Sequence, residues 1–115
     1  MAQGFTIYHN PRCTTSRKTL DLLRDNGIEP NVVQYLKTPP SRAQLVTMIK
    51  DAGIDVRTAV RKRESLYEEL NLADASDDEL LDAMAKHPIL IERPFVVTPK
   101  GTRLARPIDA VREIL

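Results

Sequence analysis

The spacing of apolar positions divides this chain into a β-rich start, a helical middle and a β-rich end. Residues 5–9, Phe-Thr-Ile-Tyr-His, are β-branched and aromatic with partial alternation, which predicts a strand. Asn10-Pro11 breaks it. From Thr14 to Asn26, Leu20, Leu22 and Leu23 follow a helical spacing, and Gly27 supplies a stop. Residues 31–36, Asn-Val-Val-Gln-Tyr-Leu, read as a second strand. A strand, a helix and a strand in that order point to a parallel βαβ unit.

The middle is helical. Ser41 with Gln44 three residues on is a capping box, and Leu45, Met48 and Ile49 form the apolar face up to Gly53. Asp55 caps a short helix through Val56, Ala59 and Val60, and residues 67–70 add another turn or two. Ser76 with Glu79 is a second capping box, with Leu80, Leu81 and Met84 facing inward. That helix ends before His87-Pro88, because the residue before proline avoids the helical region. Strands return in Pro94–Val97 and Thr102–Ala105, which flank the hairpin signal Thr-Pro-Lys-Gly. Pro107 then opens a last helix over residues 107–115. The order β-α-β, helices, β-β-α predicts an α/β fold with a small mixed sheet. The chain reads as a single domain over 1–115. The helices of 38–87 form an insertion within it, since so short a block buries little on its own.

Composition narrows the function classes. The chain has 115 residues and a net charge of +1, so bulk electrostatics support neither nucleic acid nor an anionic membrane as partner. No stretch approaches the roughly 20 apolar residues of a membrane span, and the N-terminus lacks the features of a signal peptide. The single cysteine, Cys13, excludes an intramolecular disulfide. The expected compartment is therefore a reducing cytoplasm, and the expected state a monomer.

Cys13 stands where the first strand has ended and the first helix begins. Helix-start N–H groups are unsatisfied and the helix dipole is positive there, which favours both a thiolate and a bound oxyanion. Arg12, Arg17 and Lys18 add positive charge, and Thr14, Thr15 and Ser16 add donors. His9 either donates to the thiolate or simply ends a strand. A lone intracellular cysteine is commonly just a small buried apolar residue, but the helix start and three hydroxyls favour a reactive, low-pKa nucleophile. A Cys-x5-Arg phosphate loop would need arginine where Thr19 stands. A zinc site fails on one cysteine and two histidines without motif spacing, so no metal is expected. Ser16 occupies the second cysteine position of a C-x-x-C dithiol motif.

Arg93-Pro94 and Arg106-Pro107 bracket the predicted hairpin at equal distance from a turn centred between Pro99 and Lys100. The two arginines then lie side by side at the end away from the turn. Facing like charges are unfavourable in a sheet, unless an anion sits between them on guanidinium forks. Pro94 opens a strand, where a cis peptide would make a rigid corner. Arg57, Arg61, Lys62 and Arg63 form a basic cluster in the helical block, for which a solvated face is the default.

Four segments, Ile7–Leu20, Tyr35–Leu45, Val60–Leu72 and His87–Pro107, resemble the thioredoxin-fold arsenate reductases that use glutathione and glutaredoxin. The resemblance covers nearly the whole chain. It implies a thioredoxin-like fold in which Cys13 attacks arsenate as a thiolate. Arg61, Arg93 and Arg106 would hold the oxyanion and its thiolated products. His9 would lower the thiol pKa, Ser16 would support the thiolate, and Pro94 would be the cis-proline of the fold. The active loop departs from the family pattern: it reads Cys-Thr-Thr-Ser, where the reductases commonly show Cys-Gly-Thr-Ser. Thr14 thus adds a β-carbon where the backbone would approach the oxyanion.

Thiol counting extends the resemblance. Reduction of arsenate to arsenite takes two electrons, and no second cysteine resolves a Cys13 adduct internally. Glutathione is then the expected co-substrate and glutaredoxin the expected partner, with no bound cofactor. Two other activities occur among relatives of this fold. Redox-responsive regulators bind RNA polymerase and commonly sense oxidants through C-x-x-C, which Ser16 interrupts. Glutathione-dependent thiol reductases of other substrates often lack the full arginine set retained here.

Overall fold

The computed structural model describes residues 4–115. They contain a four-stranded sheet in the order β2-β1-β3-β4, where β1 is Thr6–His9, β2 Asn31–Gln34, β3 Phe95–Thr98 and β4 Gly101–Leu104. β1 pairs parallel with β2 across helix α1, Thr14–Asp25, and antiparallel with β3. β3 and β4 form an antiparallel hairpin. The mixed α/β architecture is the one expected, including the parallel opening and the closing hairpin.

The chain divides into two compact units. One holds residues up to 38 together with Arg93–Leu115, and the other is Pro39–Glu92. In the sheet-bearing unit, the buried cluster is Ile7, Leu20, Leu23, Val96, Ala105, Val111 and Ile114. Ile7 and Val96 face each other across β1 and β3, and α1 supplies the two leucines. Each fully buried aliphatic of this kind contributes about 1.5–3 kcal/mol. Thr98 anchors the chain end: its buried hydroxyl donates to the Ile114 carbonyl at 2.6 Å and accepts from the Lys100 N–H at 3.0 Å.

Two elements of this unit differ from expectation. The closing segment Ile108–Ile114 is a 3-10 helix, not an α-helix. Its inward positions Val111 and Ile114 are three residues apart, and that spacing lines up on a three-residue turn. β2 ends at Gln34 rather than at 36, because the N–H groups of Lys37 and Thr38 both turn back onto the Gln34 carbonyl at 2.9 Å.

The second unit contains helices α2 (Arg42–Asp51), α3 (Val56–Ala59), α4 (Ser65–Glu69) and α5 (Asp77–Lys86). Both expected capping boxes form, Ser41 with Gln44 and Ser76 with Glu79, and Asp55 caps α3 through the Thr58 N–H. Val60 bridges Ile91, and Arg61 N–H donates to the Leu90 carbonyl at 2.7 Å. Glu92 N–H returns to the Ala59 carbonyl at 2.8 Å, so the ladder closes the block through residues 88–92. Arg57 is not a solvated cation. It reaches the Tyr67 hydroxyl at 2.9 Å and the carbonyls of Leu72 at 3.1 Å and Ala75 at 2.6 Å, as a strut between segments. Among the described residues, no helix is long and apolar enough to cross a membrane.

Candidate functional site

The site is built on the turn that joins β1 to α1. Asn10 is buried, its carbonyl accepts the Cys13 N–H and its side-chain oxygen accepts the Arg12 N–H, both at 3.0 Å. The proline between fixes φ and leaves one donor fewer to satisfy. Arg17, on the first turn of α1, laces the same loop: it donates to the Pro11 carbonyl at 2.8 Å and to Thr14 Oγ1 at 3.3 Å. Thr14 therefore has a place. It is an exposed first helical residue whose hydroxyl receives the loop-bracing arginine.

Cys13 is the N-cap residue of α1 and half-buried. Its sulfur makes no cap bond of regular geometry, yet the N–H groups of Ser16 and Thr15 point at it. Burial pushes the thiol pKa up. The Ser16 N–H, the hydrogen bond and charge of the Arg93 guanidinium, and the Thr15 N–H together outweigh burial and hold it below the ordinary thiol value. Ser16 thus lowers the thiol pKa through its backbone N–H. Its hydroxyl has other work.

That hydroxyl is fully buried, 2.6 Å from His9 Nδ1, and accepts the Asn10 N–H at 3.0 Å. Burial, followed by the charges of Arg24 and Arg17, lowers the His9 pKa, which favours the neutral ring. The simplest assignment gives the Ser16 proton to Nδ1. Among the described residues, then, His9 connects to the thiol through Ser16. Replacing Ser16 with alanine leaves the His9 nitrogen and the Asn10 N–H buried without this oxygen, at about 1–3 kcal/mol each. We expect Ser16→Ala to lower unfolding free energy by that order in urea titration while the Ser16 N–H stays on the sulfur. Unchanged stability would refute the linkage.

The arginines come from the hairpin. The register pairs Phe95 with Leu104 and Thr98 with Gly101, and Ala105 N–H donates to the Pro94 carbonyl at 2.9 Å, so one more step sets Arg93 opposite Arg106. Both arginines precede cis peptide bonds, at Pro94 and at Pro107. Arg106 donates through Nε to the Arg93 carbonyl at 3.0 Å and through Nη2 to Cys13 Sγ at 3.9 Å. Arg93 is 6% exposed, and its guanidinium lowers the pKa of the same thiol. Two guanidinium groups from the open end of the hairpin therefore meet one sulfur, which accounts for the like-charge pairing.

Arg61 belongs to the helical unit. There Glu64 and Glu92 hold its guanidinium at 3.3 and 3.4 Å. The bracing roles of Asn10 and Arg17 emerge only in the folded loop. The visible signal was Asn-Pro three residues before the cysteine, with an arginine one helical turn after it. Among the described residues, no group of three or more His, Cys, Asp or Glu is placed to hold a metal ion.

Comparison with known proteins places the chain in a family. Residues 8–114 match the model of the ArsC family. The chain is 61% identical to an arsenate reductase of Rhizobium meliloti over 112 residues, which are 96% of this chain and 80% of that protein. It is 48% identical to the uncharacterized protein YfgD of Escherichia coli, across 100% of this chain and 99% of that one. A solved arsenate reductase from Vibrio cholerae superposes with a TM-score of 0.94 at 49% identity, covering all of both chains.

Proposed function

Because the chain belongs to the ArsC family, we propose that it is an arsenate reductase in which Cys13 forms the arsenic adduct and thiols from solution resolve it. The observation that carries this reading is the convergence of Arg93 and Arg106 on the Cys13 sulfur. A thiolate nucleophile and a tetrahedral oxyanion are both negative, and bringing them together requires compensating charge at the point of attack. The two guanidinium forks supply it, and the helix-start N–H groups steady the sulfur.

The chemistry balances with two external thiols. Cys13 thiol and dihydrogen arsenate condense, forming a sulfur–arsenic bond and releasing water. Glutathione condenses in the same way, with a second water lost. Glutaredoxin thiolate then attacks the glutathione sulfur. That sulfur–arsenic bond breaks with its electron pair left on arsenic, which passes from As(V) to As(III), while the attacking glutaredoxin sulfur and the attacked glutathione sulfur become a mixed disulfide. Water displaces Cys13 from the As(III) product and frees arsenite. The lowered thiol pKa serves the first and last steps, since a more acidic thiol is both more ionised and a better leaving group. The single cysteine suits a monomer working in a reducing cytoplasm with no bound cofactor.

The test is arsenate-dependent NADPH oxidation with the purified chain, glutathione, glutaredoxin and glutathione reductase. Turnover that depends on both arsenate and the chain is expected. Its absence would move the assignment to a glutathione-dependent thiol oxidoreductase acting on another substrate.

A further inference from the structure

We propose that the pocket at the carboxyl ends of β1 and β2 seats the thiol co-substrate, and that Arg12 and Lys37 take the carboxylates of an anionic thiol of tripeptide size. The proposal deepens the reductase reading, on which it rests for the need of an external thiol. His9 and Gln34 are register partners at the ends of the parallel strands, the end at which α/β sheets bind ligands. They help to line a pocket of about 330 Å³, at the small end of the range for small-molecule sites. Buried His9 and Asn10 contribute to its lining together with exposed Arg12, Gln34, Leu36 and Lys37. Among the described residues no acidic side chain lines it, so its charge is positive and its preference is for an anion.

Both cations stand on hydrogen-bonded turns. The Arg12 N–H donates to Asn10 Oδ1 at 3.0 Å, and the Lys37 N–H donates to the Gln34 carbonyl at 2.9 Å. Arg17, by contrast, is committed to the loop through the Pro11 carbonyl and Thr14. Leu36 is 43% exposed, and offers an apolar surface to methylenes between two polar ends. The pocket wall is the turn that ends in Cys13, so Arg12 is one residue, about 3.8 Å in Cα spacing, from the nucleophile. An extended tripeptide spans roughly 10 Å. In this proposal a tripeptide thiol with a carboxylate at each end lays them on the two cations, with its sulfur at the Cys13 turn. Arg93 and Arg106 serve the oxyanion, and Arg12 and Lys37 the thiol.

The test uses thiol–disulfide exchange, which needs no arsenate. Cys13 thiolate attacks a disulfide, forms a mixed disulfide and releases one thiolate. The probes are glutathione disulfide, which carries carboxylates, and 2-hydroxyethyl disulfide, which is neutral. In the double variant Arg12→Glu/Lys37→Glu, the ratio of the two rates is expected to fall about tenfold at low salt, and the fall to shrink as salt rises. Arg12→Gln/Lys37→Gln is expected to lie between that variant and the wild type. A ratio unchanged in both variants overturns the proposal, and because the ratio is internal, a general disturbance of the loop does not mimic the effect. Failure of arsenate turnover in the wild type, with the ratio still shifted in the variants, would count against the reductase reading and for the pocket.

Discussion

Cys13→Ser is expected to reduce arsenate-dependent turnover by about 10³-fold or more, the order lost when a covalent nucleophile is removed. A serine hydroxyl in the same place stays protonated. The N–H groups of Ser16 and Thr15 and the guanidinium of Arg93 lower a thiol that is already acidic enough to ionise, but they fall far short of ionising an alcohol. No other cysteine exists to take over. The fold is not expected to suffer. Position 13 is a helix N-cap, where serine ranks among the preferred residues and cysteine does not, so the variant should match or slightly exceed wild-type thermal stability. A folded Cys13→Ser protein that still turned over arsenate with glutathione and glutaredoxin would place the chemistry elsewhere.

Arg93→Gln carries the second large effect. Arg93 is buried and contributes both a hydrogen bond and a charge to the sulfur. Its loss should act twice. The thiol pKa rises toward the ordinary value, so the thiolate-dependent rate profile moves to higher pH. The arsenate oxyanion also loses one of its charge partners. Together these should lower kcat/KM for arsenate by about 10²–10³, the scale of losing one preorganised donor to a developing oxyanion. Arg93→Lys keeps the charge without the planar fork, so it should recover part of the pKa shift and less of the substrate affinity. A kcat/KM within a few-fold of wild type, with an unmoved pH profile, would remove Arg93 from the site.

The elements that position this chemistry were legible where sequence periodicity and local capping decide the structure. The hairpin turn alone set Arg93 opposite Arg106, because pairing partners lie at equal distance from the turn centre and register follows from that. The two capping boxes are local side-chain chemistry, and both formed. What remained hidden depends on where side chains point once the chain is folded. The Ser16 hydroxyl turns to His9 and Asn10 while the N–H of the same residue faces the sulfur, and no spacing rule separates those two roles. The lowered pKa of His9 comes from burial and from Arg24 and Arg17, a tertiary effect. Arg17 read as one more cation beside Cys13 and is a loop brace. Arg61 entered through family resemblance, not through local pattern, and its observed partners Glu64 and Glu92 lie within the helical unit.

One measurement reaches the central claim without any coupling enzyme: the rate of Cys13 alkylation by iodoacetamide against pH. The reagent is neutral and the chain has a single thiol, so the profile reports the ionisation of Cys13 alone. A thiolate held by Arg93, Ser16 and Thr15 predicts a midpoint clearly below the ordinary thiol value of about 8.5, with arsenate slowing the reaction by occupying the same guanidinium groups. A midpoint at or above that value, with no protection by arsenate, would contradict it.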